Sequence, residues 1–197
     1  MPGCINNEDL WDVNTKRLAR YMKLFLPFLQ ISPKSRCLDI GELNPKMEFI
    51  KKELGITVDQ FVSEDFNFCK ISPTKKYDVI FLLEVVEHCQ NALHLMMEVK
   101  NALNDDGSIY VTTPCNPRWM WVDGHFFEMK YKHFKKWIIE PLGLKIVRHK
   151  KLYFVHEWRG IFIGFRPLVR VLQGKRDWIS LIRTFAYFRY DIYEIKK

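Results

Sequence analysis

The sequence has no Cys-x-x-Cys pair, and its 9 glycines and 9 prolines follow no period. Zinc ribbons, collagen-like chains and short-repeat architectures are therefore excluded. Its five cysteines (Cys4, Cys37, Cys69, Cys89 and Cys115) are widely spaced and odd in number, which fits buried thiols in a reducing compartment better than a disulfide frame. No stretch approaches the roughly 18 uncharged apolar residues of a spanning helix. Residues 1–20 carry six acidic or basic groups and no apolar run, unlike a secretory leader. A cytoplasmic location follows as an expectation, with membrane association left open by the charge distribution described next.

Aromatic residues are abundant: 15 Phe, 8 Tyr and 6 Trp in 197 residues, with 48% hydrophobic side chains overall. That content excludes disorder, and the length suits a single domain burying roughly 70% of its unfolded surface. The net charge of +8 is concentrated: residues 1–145 hold 19 Lys/Arg and 19 Asp/Glu, whereas 146–197 hold 12 and 4. The basic end also holds 11 aromatics, a composition that points to an anionic partner such as a lipid headgroup, phosphate or RNA.

Leu18, Tyr21, Met22, Phe25 and Leu29 recur with helical spacing, so residues 15–29 are expected to form a helix with one apolar face. A buried strand should follow at 36–40, closing in the Gly41 turn. Asn44-Pro45 then opens a helix that Gly55 stops near Leu54. Residues 56–62 and Tyr77 to Leu83 read as strands, the second apolar enough to be covered on both faces. Asn91 to Leu103 reads as a helix, Asn104 to Gly107 as a turn, and Ser108 to Thr113 as a β-branched strand. A helix at 132–140, an extended segment at 144–148 and an alternating strand at 189–195 complete the pattern. Strands alternating with helices imply a three-layer α/β sandwich around a mostly parallel sheet. The expected organisation is one domain: a helical segment at 1–35, a core at 36–151, a basic aromatic insertion at 155–188 and a last strand at 189–197.

Three features carry chemistry. Asp39-Ile40-Gly41 ends an apolar strand, where open α/β sheets bind their ligands. The run Tyr77-Asp78-Val79-Ile80-Phe81-Leu82-Leu83-Glu84-Val85-Val86-Glu87-His88 follows, and then Ile109-Tyr110-Val111-Thr112-Thr113-Pro114 after the Asn-Asp-Asp-Gly turn. As an ordered set, these residues resemble the class I S-adenosylmethionine-dependent methyltransferases of the small type-11/type-12-like group. The resemblance covers about residues 36–151. It implies a Rossmann-like seven-stranded sheet with an antiparallel last strand, and S-adenosyl-L-methionine as methyl donor.

By that resemblance, Asp39, Gly41 and Glu42 match the loop that holds the methionine part of the cofactor. Asp59 matches the acceptor of the ribose hydroxyls, Asp65 and Phe66 the pair beside the adenine, and Leu83 the backbone offered by the strand. Two departures stand out. Leu43 occupies the position of the motif's second glycine, where a side chain would narrow the pocket. Only 21 residues separate Gly55 from Tyr77, short for a full strand-helix-strand, so the third strand is expected to be abbreviated, with the roles of Asp59 and Asp65 either exchanged or one of the two acids merely solvated.

Glu84, Glu87 and His88, with His125 downstream, resemble the metal constellation of small-RNA 2′-O-methyltransferases and, in part, ubiquinone-pathway O-methyltransferases. Two carboxylates and two imidazoles suit Mg, Mn or Zn; the plainer reading is a hydrogen-bonded Glu-His pair without metal. His125 is the candidate general base. The expected acceptor is a small or lipid-linked, glycolipid- or quinone-like hydroxyl or amine, at an anionic membrane surface that the 155–188 insertion would touch. Two rival readings are a metal-dependent RNA 2′-O-methyltransferase and a non-enzymatic scaffold that has lost its cofactor through Leu43.

Overall fold

A computed structural model describes residues 18–19, 21–71, 75–116, 118, 121, 123–155 and 187–197. The expected insertion at 155–188, with its Arg and Trp residues, lies almost wholly outside the described residues, as does all of the segment preceding Leu18.

Six strands form one sheet: β1 (Cys37–Ile40), β2 (Val58–Phe61), β3 (Tyr77–Leu83), β4 (Leu103–Pro114), β5 (Lys145–Val155) and β6 (Tyr187–Lys196), in the order β2-β1-β3-β4-β6-β5. The first four pair in parallel, and β6 runs antiparallel between β4 and β5. The antiparallel last strand agrees with expectation. The resemblance implies seven strands; among the described residues there are six, because the chain after Phe61 turns back through bends at residues 64–68 instead of pairing beyond β2.

Side-chain alternation along the strands builds two apolar layers. Cys37, Val79, Phe81, Leu83 and Tyr110 face helix α1 (residues 21–25) and α2 (Pro45–Leu54), meeting Tyr21, Met22, Phe25, Met47 and Ile50. Leu38, Ile40, Ile80, Leu82, Ile109 and Val111 face the other way, onto Leu95, Met96 and Val99 of α3 (Ala92–Ala102) and Phe134 of α4 (Tyr131–Phe134). Six of the seven β3 residues are buried, each large apolar one contributing roughly 1.5–3 kcal/mol. This explains why β3 carries no amphipathic pattern.

The boundaries of α2 follow from its ends. Asn44 caps it by accepting from the Lys46 N–H at 2.9 Å, Pro45 occupies the first turn, and Gly55 ends it. The helix expected at 132–140 is not uniform: after α4, Lys135–Ile139 forms a wide turn with an extra residue, which lets Phe134, Ile138 and Ile139 all face the core. Asn104 to Gly107 is likewise not a free turn. It forms an irregularity inside β4, where the register passes from Tyr77–Leu103 to Val79–Ser108. Asn104 Nδ2 donates to Asp78 Oδ1 at 2.6 Å there, and a Cβ on Gly107 would come within 3.0 Å of the Asp78 carbonyl oxygen.

The N-terminal segment is fastened to the far half of the sheet. The Gln30 N–H donates to the Tyr110 hydroxyl at 3.0 Å, and Arg148 donates to the Phe28 carbonyl at 2.7 Å while pairing with Glu194.

Candidate active site

The carboxyl ends of β1, β3 and β4 and the loops leaving them gather most of the expected site residues. Asp39 is 3% exposed, and burial beside α2 pushes its carboxyl up to about 7, the nearby Lys51 opposing and Glu48 adding to the rise. Gly41 has φ +126, a conformation that L side chains rarely adopt, and a Cβ would sit 3.0 Å from Val85 Cγ2. Its N–H donates to the Phe61 carbonyl at 3.0 Å and its carbonyl accepts from Gln60 at 3.2 Å, so β2 braces the first loop. Glu42 is exposed beside it. Leu43 is 77% exposed and has no positive φ, so the backbone at this position does not itself require a glycine.

Asn44 links this loop to the end of β3, donating to the Leu83 carbonyl at 3.4 Å. The next residue, Glu84, is the one non-glycine with positive φ (+62) among the described residues, and its N–H donates to the Thr112 carbonyl at 2.9 Å. Its carboxylate pairs with the Lys46 ammonium. Glu84 is therefore paired with Lys46 and falls outside the group expected to contain it.

That group consists of Glu87, His88 and His125, whose ligating atoms lie within 4.8 Å of one another. Glu87 is 1% exposed, and among the described residues neither of its carboxylate oxygens has a partner at hydrogen-bond geometry. Burial, with Glu84 nearby, pushes its carboxyl up to about 8; its own backbone and the Thr113 hydroxyl oppose the rise without closing a hydrogen bond to it. His88 Nδ1 lies 3.0 Å from the Gly124 carbonyl, which can only accept, so this nitrogen carries the proton. Burial holds the His88 imidazole below its usual pKa, in the neutral form. The His88 and His125 rings meet edge to face at 4.7 Å.

His125 Nδ1 lies 2.8 Å from Glu128 Oε1, and the other Glu128 oxygen accepts from the Asn116 N–H at 2.8 Å. The fully enclosed Glu128 thus fixes the tautomer of His125 and leaves Nε2 as a lone-pair nitrogen. Glu128 was missed in the sequence; its only signal is its place three residues after His125 in Gly-His-Phe-Phe-Glu. Phe126 and Phe127, 44% and 39% exposed, flank this pair, and both of their N–H groups donate to the Glu87 carbonyl.

The remaining expected residues separate. Asp59 lies two positions before the end of β2, paired in register with Leu38. Its carboxylate accepts from the Tyr77 hydroxyl at 3.0 Å and faces Lys75 at 3.5 Å, toward the opposite end of the sheet. It is therefore not brought to the site. Asp65 is on the correct side, but it caps its own turn by accepting from the Asn67 N–H at 2.7 Å. Phe66 packs edge-on against Phe61. Leu83 is buried, with its carbonyl at the first loop.

A doubly wound sheet with an antiparallel strand beside β4, a glycine loop after β1 and a polar cluster after β3 defines the class I S-adenosylmethionine-dependent methyltransferases. A family model described as a methyltransferase domain matches residues 13–163, and the chain belongs to that family. Over 62 residues the chain is 37% identical to a ubiquinone biosynthesis O-methyltransferase of Glaesserella parasuis, a match covering 30% of this chain and about a quarter (26%) of that relative. Among solved structures, an S-adenosylmethionine-dependent methyltransferase from Archaeoglobus fulgidus aligns with a TM-score of 0.59 at 18% identity, covering 92% of this chain and 94% of that one. The phosphoethanolamine N-methyltransferase 2 of Haemonchus contortus, solved with phosphomonomethylethanolamine and S-adenosylhomocysteine, aligns with a TM-score of 0.60 at 11% identity, over 90% and 52% of the two chains. At these identities the likeness is one of fold. No helix among the described residues is long and apolar enough to cross a membrane.

Proposed function

We propose that the chain transfers a methyl group from S-adenosylmethionine to a hydroxyl or amine of a small, ring-bearing or amphipathic acceptor. The His125–Glu128 couple is the observation that carries this reading. The cofactor would supply an electrophilic methyl group, and its fit rests on the first loop: Gly41 offers bare backbone and Asn44 ties the loop to β3. Asp39, Gly41, Glu42, Asp65, Phe66 and Leu83 are the residues assigned to hold it.

Chemistry at the acceptor falls to the residues after β3 and β4. Glu128 holds the proton of His125 on Nδ1, so Nε2 can take one from an acceptor hydroxyl, and the buried carboxylate stabilises the resulting imidazolium. Phe126 and Phe127 would wall a planar acceptor, and alignment of its nucleophile supplies much of the rate. The name of the Glaesserella parasuis relative favours oxygen as the methylated atom. Glu128→Gln tests the reading. Methyl transfer to a phenolic panel should fall by roughly 10–100-fold, with a displaced acidic limb of the pH profile and little change in S-adenosylhomocysteine affinity. Unchanged turnover would remove the base from the mechanism.

One observation favours a second reading: two unpartnered oxygens on a buried Glu87 beside two imidazoles whose other nitrogens are already oriented. Hydrogen bonds to the far nitrogens of histidines are how metal ligands are positioned, and the donor set suits Zn or Mn better than Mg. Glu87, His88 and His125 would hold the ion, which would acidify an acceptor hydroxyl, as in the RNA 2′-hydroxyl alternative. Calorimetry with zinc or manganese should then show binding that Glu87→Ala and His88→Ala abolish. No heat at millimolar metal rules this reading out and leaves His125 as a base.

A further inference from the structure

Beside the histidine cluster lies a group of side chains that the proton-transfer scheme does not use. The Lys46 ammonium sits 4.8 Å from the centre of the Tyr21 ring and 5.9 Å from that of Tyr190, and is paired with the Glu84 carboxylate. We propose that Tyr21, Tyr190 and Glu84 form a binding site for an organic ammonium group, which Lys46 fills from within, and that the acceptor is anchored there by a cationic nitrogen. This rests on the methyl-transfer reading and deepens it by naming the acceptor's charge.

A surface lysine keeps its head group in water, but the Lys46 and Glu84 side chains are only 18% and 26% exposed. Two ring faces and a carboxylate around one cation are the elements by which proteins recognise substituted ammonium ligands. The walls stand without Lys46. Tyr21 is 4% exposed in the apolar layer, packed on Phe25 at 5.6 Å and edge to face on Tyr190 at 6.0 Å. Glu84 is held at φ +62 by its N–H bond to the Thr112 carbonyl. The occupant, by contrast, hangs on a flexible four-carbon stem that can withdraw.

The location is that of an acceptor anchor. Glu84 follows Leu83 at the end of β3, Tyr190 pairs with Pro114 at the end of β4, and Lys46 begins α2 behind the first loop. A cationic nitrogen held there leaves another part of the same molecule to reach His125.

Tetramethylammonium chloride is the probe, titrated calorimetrically against matched sodium chloride, with S-adenosylhomocysteine titrated in parallel. Lys46→Met and Lys46→Gln should each bind the probe at least ~10-fold more tightly than wild type, and adding Tyr190→Leu should reverse the gain. Folded Lys46 variants that bind no better than wild type overturn the proposal, as does a Tyr190 change without effect. Should the Lys46 variants lose their thermal transition, wild type and Tyr190→Leu are compared directly, and equal affinity overturns it. Binding of S-adenosylhomocysteine without the probe defeats the ammonium site alone, whereas loss of S-adenosylhomocysteine binding by wild type defeats the methyl-transfer reading.

Discussion

Asp39→Asn removes a charge from beneath the first loop, and its effect on the unliganded protein can be worked from the burial of that carboxyl. The group titrates near 3.8 in an unfolded chain and at about 7 in the fold, because burial disfavours the carboxylate. The folded state therefore holds its proton more tightly. The resulting stabilisation is complete below about pH 4, declines as pH rises, and is lost once pH exceeds about 7. A tenfold change in proton affinity is worth about 1.4 kcal/mol, so the ceiling is about 4 kcal/mol, and local relaxation lowers a realistic figure to about 2–3 kcal/mol. The amide of the Asp39→Asn variant carries no such dependence. Urea unfolding of the two proteins should coincide near pH 4 and diverge by about pH 8, where the variant's midpoint should lie about 1 M higher and its melting temperature several degrees higher. The same variant should lose S-adenosylhomocysteine binding, separating stability from function at one residue. Parallel stability curves across that range, or a variant less stable than wild type at its alkaline end, would refute the account of Asp39 as a buried carboxylate held at a cost.

Gly41→Ala should destabilise by about 1–3 kcal/mol and weaken S-adenosylhomocysteine binding, since φ +126 and the Val85 methyl both oppose a Cβ; unchanged melting would contradict the loop geometry. Leu43→Gly should leave S-adenosylhomocysteine affinity within about threefold of wild type, because that side chain faces solvent; a large gain by calorimetry would reinstate Leu43 as an obstruction. Asn44→Ala should cost about 1 kcal/mol through the lost helix cap, measured by denaturant unfolding.

The strand Tyr77–Leu83 and the bounds of α2 were legible because each is encoded locally, by continuous apolar residues and by an Asn-Pro start with a Gly stop, whereas the antiparallel direction of the last strand followed from the family resemblance. Asp39, Gly41, Glu87, His88 and His125 were legible as parts of an ordered motif. Asp59 was misplaced because a strand's register, which the sequence does not state, decides at which end of the sheet an acid lies. Glu84 was misplaced because its partner, Lys46, comes from another element across the site. Glu128 escaped because an acid near a histidine is common, and only the fold encloses it. The wide turn at Lys135–Ile139 has no composition signature.

The position of β6 has a consequence for how the chain is made. Among the described residues β5 pairs with β6 alone, and β4 has β6 as its outer neighbour, so two strands wait for one that is synthesised after both. At about 5–20 residues per second, the outer edge of β4 and the whole of β5 spend seconds unpaired while residues 156–196 are added. Both carry apolar side chains in that interval, Tyr110 and Val111 on one and Leu152 on the other. An unfinished edge of this kind recruits other strands. A chain stopped just before Tyr187 would keep β1 to β4 in register yet present that edge permanently. Its fate would be aggregation or capture by a chaperone, even though the first loop and the histidine cluster had already been translated.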